Sequence, residues 1–147
     1  MKILVADDNP VFRNVLQNML RSWGFEVVAA SDGEQACSIL QEPDRPRLAI
    51  LDWMMPGMDG IDVCRRIRDD FRWNYVYVLI LTAKTNGEDL LDAMEAGADD
   101  YVTKPFKSQE LRARLRAGCR ILELEEQLLQ TPNSEPVPVH WTPRRAS

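Results

Sequence analysis

The chain has 147 residues, 45% of them hydrophobic and 28% charged, which suits one globular domain with a real core and leaves no room for a second of similar size. A formal net charge of −5 gives no electrostatic footprint for nucleic acid or an anionic membrane surface, so direct contact with either is not expected. Cys37, Cys64 and Cys119 lack the spacing of a zinc site or a disulfide framework, and the first apolar run breaks at Asp7, too early for a signal or membrane segment, so a cytoplasmic location is expected.

Ile3–Ala6 reads as a short strand apolar on both faces, the pattern of a parallel sheet covered on two sides. Asn9-Pro10 then caps a helix whose apolar stripe is Phe12, Val15, Leu16, Met19, Leu20 and Trp23, closed by Gly24. Glu26–Ala30 is a second strand, and Ser31-Asp32-Gly33 opens a second helix carrying Ala36, Cys37 and Leu40 inward. Leu48–Leu51 is a third strand ending at Asp52, where the Pro56-Gly57 turn follows at once. A third helix spans Asp59–Asp69 with Cys64 and Ile67 inward, and a fourth strand runs from Tyr75 to Leu81, ending at Thr82. Asn86 with Asp89 looks like a capping box for a fourth helix through Ala96, with Gly97 at its stop. Asp100–Thr103 is a short fifth strand before Lys104-Pro105, and a fifth helix starts near Ser108.

Strands and helices alternating through short connections imply right-handed βαβ crossovers and a parallel sheet with helices on both faces. In such sheets the ligand site lies beyond the carboxyl ends of the strands. That rule gathers Asp7 and Asp8, Asp52, Thr82 and Lys104, each at a strand end, on one edge. Crowded carboxylates need either a shared proton or a cation between them, and Mg²⁺, with Mn²⁺ as a substitute, is the hard ion that pairs few acids with phosphate oxygens. An Asp beside such an ion can act as a nucleophile toward a phosphoryl group; Asp52, on the central strand, is the candidate, with Lys104 and Thr82 placed to stabilise phosphoryl oxygens.

These motifs resemble the receiver domain of two-component response regulators. The resemblance is carried by Asp7-Asp8, by Asp52 with the tail Trp53-Met54-Met55-Pro56-Gly57-Met58-Asp59-Gly60, by Leu81-Thr82-Ala83, by Ala96 to Tyr101, and by Thr103-Lys104-Pro105-Phe106, within roughly residues 1–120. It implies a flavodoxin-like sheet of strand order 2-1-3-4-5, with Asp52 accepting phosphate from a histidine kinase or a histidine phosphotransfer protein. It also implies Mg²⁺ on Asp8, on Asp7 largely through water, on Asp52 and on the main-chain carbonyl of Met54, with a cis Lys104-Pro105 peptide. Tyr101 matches the family's aromatic switch, coupled to Thr82. The face of helix four, strand five and helix five is where downstream protein targets or a second copy bind in the family. Met54 and Lys84 stand at positions that modulate acyl-phosphate lifetime in the family, and their identities leave that lifetime open. The only histidine, His140, lies in a proline-rich segment with no helical stripe, so the phosphoryl donor must be external.

The fifth helix is expected to run on through residues 121–130. There Ala117, Ile121, Leu124 and Leu128 alternate four- and three-residue steps as a coiled-coil seam would, while Glu123, Glu125 and Glu126 keep the other side wet. A dimerising extension and a helix that packs back on its own domain both stay open. Residues 131–147, with Pro132, Pro136, Pro138 and Pro143, read as a disordered tail in which Trp141, Arg144 and Arg145 form at most a small docking motif. The leading expectation is a phosphorylation-controlled signalling domain, not an enzyme. The alternatives are a receiver portion of a longer regulator with an enzymatic output domain, or a phosphorylation-independent binding module. A haloacid-dehalogenase-type phosphatase would want a second Asp where Met54 stands.

Overall fold

The computed structural model describes residues 1–69, 75–83 and 87–130. The Asn86 cap, Lys84 and the whole 131–147 tail, with His140 and Trp141, lie outside them. Among the described residues, β1 (Lys2–Ala6), α1 (Pro10–Ser22), β2 (Glu26–Ala30), α2 (Gly33–Leu40), β3 (Leu48–Asp52), α3 (Gly60–Arg68), β4 (Tyr77–Thr82), α4 (Gly87–Glu95), β5 (Asp100–Thr103) and α5 (Ser108–Gln130) follow in strict alternation. The sheet is parallel throughout in the order β2-β1-β3-β4-β5, the flavodoxin-like arrangement.

β3 and β4 are buried along their whole lengths, which explains why both read as unbroken apolar runs. Their alternate residues feed two cores. Ala49, Leu51, Val78 and Ile80 face the α2, α3 and α4 side, whereas Leu48, Ile50, Leu79 and Leu81 pack with Leu16 and Leu20 of α1 and Leu111, Leu115 and Leu122 of α5.

Local chemistry sets the helix ends. The Asn9 side chain accepts from the backbone N–H groups of Val11 and Phe12, and Gly24 takes φ +93° just beyond α1. Asp59 and Asp62 form a reciprocal capping box at α3. Val15, expected in the stripe of α1, is instead half exposed. It sits about 100° around the helix from Leu16, past the edge of the face that meets the sheet.

Expected and observed limits differ by a residue or two elsewhere. Strand pairing of β4 begins at Tyr77, because the backbone N–H and carbonyl of Tyr75 are taken by side chains of α5 and the loop before β3. Arg68 at the end of α3 donates to the carbonyls of Val76 (2.7 Å) and Gly97 (3.0 Å) and to the Asp99 carboxylate (2.8 Å), fastening the α4–β5 connection to the sheet.

α5 packs back on its own domain, the second of its two readings. Leu122 is fully buried, and Glu125, expected on the wet side, accepts from Arg47 at 2.9 Å and from the Tyr75 N–H at 3.2 Å. The helix therefore packs on its own domain past Arg120. Ile121, Leu124 and Leu128 nevertheless stand 46, 54 and 71% exposed on another side.

Gly60 ties the fold to the site. A Cβ there would lie 2.4 Å from the carbonyl oxygen of Asp52 and 3.3 Å from the Cα of Trp53. Both are backbone atoms, so the β3–α3 loop itself must move to admit it. Gly60→Ala is expected to cost about 1–3 kcal/mol in chemical denaturation, the usual range for overpacking. An unchanged midpoint would show that the loop yields freely.

Candidate functional site

The carboxyl ends of β1, β3, β4 and β5 bring the expected residues together. Asp7 leaves β1 with its N–H bound to the Ala30 carbonyl, and its Oδ1 accepts from the Asn9 N–H at 2.9 Å. Asp52 closes β3 beside Leu81 of β4, and Thr82 closes β4 opposite Thr103 of β5. Asp7, Asp52 and Thr82 are almost fully buried, at 1, 7 and 1% exposure, whereas Asp8 faces solvent. One carboxylate oxygen from each of Asp7, Asp8 and Asp52 falls within a 4.8 Å cluster.

Lys104 enters from the turn after β5, where the Lys104-Pro105 peptide is cis as expected and the Lys104 N–H donates to the Thr82 carbonyl at 2.7 Å. Its Nζ lies 3.3 Å from Asp52 Oδ1 and 3.4 Å from Asp7 Oδ2. One ammonium thus faces two nearly buried acids, with a third at the rim. Charge balance shows in Asp52, whose carboxyl is pushed up to about 6, first by burial and then by the facing Asp7, against the pull of Lys104.

A divalent cation suits this donor set. Three carboxylates converge, one is exposed to carry hydrated ligands, and among the described residues one ammonium pairs with them, which leaves three acids facing one positive charge. That is the environment in which Mg²⁺ binds through few acids and several waters. Met54 follows Trp53 in the β3–α3 loop, two residues beyond the end of β3, and is 62% exposed. Tyr101 of β5 is half-buried against the core on the α2–α4 side.

Sequence reasoning passed over Arg13. Its guanidinium donates to the Asp7 carbonyl at 2.7 Å and so holds the backbone of the acidic loop from the first turns of α1. The available signal was its position, one helical turn after the Asn9 cap and on the side that leads back to Asp7.

The residues that build this site also place the chain among known proteins. The family model described as the response regulator receiver domain matches residues 3–116. The DNA-binding response regulator MtrA of Mycolicibacterium smegmatis is 49% identical over 119 residues, a match covering 81% of this chain and 50% of that protein. The chain spans about half the length of the curated relatives it matches. Because that name includes DNA binding, the expectation of no nucleic-acid contact, drawn from net charge, finds no support among the relatives. Among solved structures, the receiver domain of Francisella response regulator 1452 superposes with a TM-score of 0.75 at 30% identity, covering 82% of this chain and 97% of that one. A two-component system response regulator/GGDEF domain protein gives a TM-score of 0.75 at 27% identity, covering 84% of this chain and 50% of that one. Among the described residues no helix is long and apolar enough to cross a membrane. With the family model spanning every strand and the acidic edge, the chain belongs to the response regulator receiver family and is a phosphorelay signalling domain of the two-component type.

Proposed function

We propose that Asp52 is the phosphoacceptor, taking a phosphoryl group from a phosphohistidine on a partner histidine kinase or histidine phosphotransfer protein. The observation that carries this reading is the single Lys104 ammonium set within 3.4 Å of both Asp52 and Asp7 at the mouth of the central strand. An Asp52 carboxylate oxygen attacks phosphorus as the phosphorus–nitrogen bond to the histidine breaks. Lys104 meets one phosphoryl oxygen and the Thr82 hydroxyl another, each stabilising charge that grows in transfer.

Asp7, Asp8, Asp52 and the main-chain carbonyl of Met54 hold Mg²⁺, which when bound offsets the negative charge of the acids and of the incoming group. The chain assists its own phosphorylation and dephosphorylation without turning over another substrate. Its place of action is the cytoplasm, where such kinases present phosphohistidine. Incubation with acetyl phosphate, followed by intact-protein mass spectrometry, should show one phosphoryl adduct with Mg²⁺ and none with EDTA. A folded protein that takes up no phosphoryl group from acetyl phosphate and none from a phosphohistidine donor would overturn the reading.

The output is a change at the α4–β5–α5 face, with Tyr101 turning inward as Thr82 moves toward the phosphoryl group. Moving a two-state population from 1:99 to 99:1 takes about 5.5 kcal/mol, within reach of a dianion contacting Lys104, Thr82 and a divalent cation. A second surface is favoured by the exposed seam of α5. Ile121, Leu124 and Leu128 project from a helix whose other side is fixed to the domain by Leu122 and Glu125, so a second copy of the chain can meet it without unfolding anything. Leu124→Glu is expected to shift sedimentation at tens of micromolar from dimer to monomer. A wild-type chain that is already monomeric would remove this homodimer and leave the helix as a connector to an output module.

A further inference from the structure

We propose that Phe12 is a positioning residue for Lys104, holding the ammonium over the phosphoacceptor through the face of its ring. Lys104 Nζ lies 4.3 Å from the Phe12 ring centroid, while the same atom is 3.3 Å from Asp52 and 3.4 Å from Asp7. The ammonium is thus held between two acids and an aromatic face. Phe12 is itself placed from two directions. Its N–H donates to the Asn9 side chain at the start of α1, and Phe106 meets its ring edge-on at 6.0 Å and 82°. Phe106 and Lys104 flank Pro105, so ring and ammonium are fixed to the same turn.

The chemistry explains why a ring serves where a third acid would not. An aromatic face attracts a cation through its quadrupole but carries no net charge, so it neither competes with Lys104 for the acids nor draws a metal ion. When a divalent cation and a phosphoryl group take up the carboxylates of Asp7 and Asp52, the acids that now orient Lys104 are partly occupied. The ring is not, and it keeps a flexible four-carbon side chain aimed at the site while the transferred oxygens arrive. This inference rests on the proposed role of Lys104 in stabilising the phosphoryl group, and it adds a residue of α1 that touches neither phosphoryl group nor metal.

The test uses the full chain with Phe12→Leu, which keeps bulk and removes the π face, and Phe12→Tyr, which restores it. Rates of phosphoryl uptake from acetyl phosphate are measured at saturating Mg²⁺, and Mg²⁺ affinity by intrinsic fluorescence. Phe12→Leu should slow uptake by about fivefold. Its Mg²⁺ affinity should stay within about twofold of wild type, since the ring is no ligand, and Phe12→Tyr should recover the rate. In a Lys104→Ala background Phe12→Leu should cause no further loss, because the residue acts through the ammonium. Wild-type rates in Phe12→Leu, equal slowing in Phe12→Tyr, a parallel fall in Mg²⁺ affinity, or an additive loss without Lys104 would each overturn the proposal. A wild-type chain that takes up no phosphoryl group from acetyl phosphate and none from a phosphohistidine donor would instead overturn the phosphoacceptor reading. The ring-current upfield shift of the Lys104 Hε protons, lost in Phe12→Leu, then still decides whether the ring holds Lys104.

Discussion

Asp52→Asn is expected to bring the Mg²⁺-dependent phosphoryl adduct down to background while leaving the domain folded. The amide keeps the size and shape of the side chain at the end of β3 but has no carboxylate oxygen to attack phosphorus. Neither neighbouring acid is equivalent. Asp7 is 1% exposed, with one oxygen accepting from Asn9 and the other facing Lys104, and Asp8 sits at the solvent edge of the cluster. Asp52 alone combines a position on the central strand with direct contact to the ammonium through Oδ1. Intact mass after acetyl phosphate treatment decides the matter. An adduct that persists in the variant would move the acceptor to Asp7 or Asp8, and peptide mapping would locate it.

Much of this site was legible in the sequence because parallel sheets obey a simple rule. Apolar runs mark buried strands, and the polar residue that ends each run falls on one edge of the sheet whatever the details of packing. The rule gathers Asp7, Asp52, Thr82 and Lys104 from their positions in the chain alone, and in the structure they stand at that edge. Strand order was not legible from the residues themselves, since alternation of strands and helices fits more than one winding of the sheet; it came from family resemblance.

The misses share another cause, which is that periodicity reports one face and says nothing of what lies against it. Phe12 packs against the core as its spacing predicts, but spacing does not show that its ring also receives the Lys104 ammonium. Val15 fits a generous apolar stripe but falls outside the narrower face that one sheet layer covers. Glu125 has the composition of a solvated residue, and only the tertiary fold supplies Arg47, some 78 positions earlier in the chain, to bind it. On α5 the buried Leu122 and the exposed Ile121, Leu124 and Leu128 lie on different sides of one helix, so the spacing of the seam did not report which side meets the domain.

The raised carboxyl of Asp52 has a measurable consequence for stability, and its sign is opposite to that of an ordinary salt-bridged acid. In the fold the group titrates at about 6 instead of 3.8, because burial and then Asp7 disfavour its ionised form. The folded chain therefore binds this proton more tightly than the unfolded chain does. Ionised Asp52 opposes folding fully above about pH 7, and the penalty fades as pH falls through 6 and is gone below the unfolded value near 4. A displacement of this size corresponds to roughly 2–3 kcal/mol at 1.36 kcal/mol per unit. Asp52→Asn, neutral at every pH, is thus expected to melt about 5–10 °C above wild type at pH 8 in EDTA. The two should converge near pH 4. Added Mg²⁺ should narrow the difference at pH 8, since the cation binds the ionised acid and offsets the repulsion that the substitution removes. Equal melting at pH 8, or a gap that widens on acidification, would show that Lys104 neutralises the cluster without help and that the site has no standing demand for a second cation.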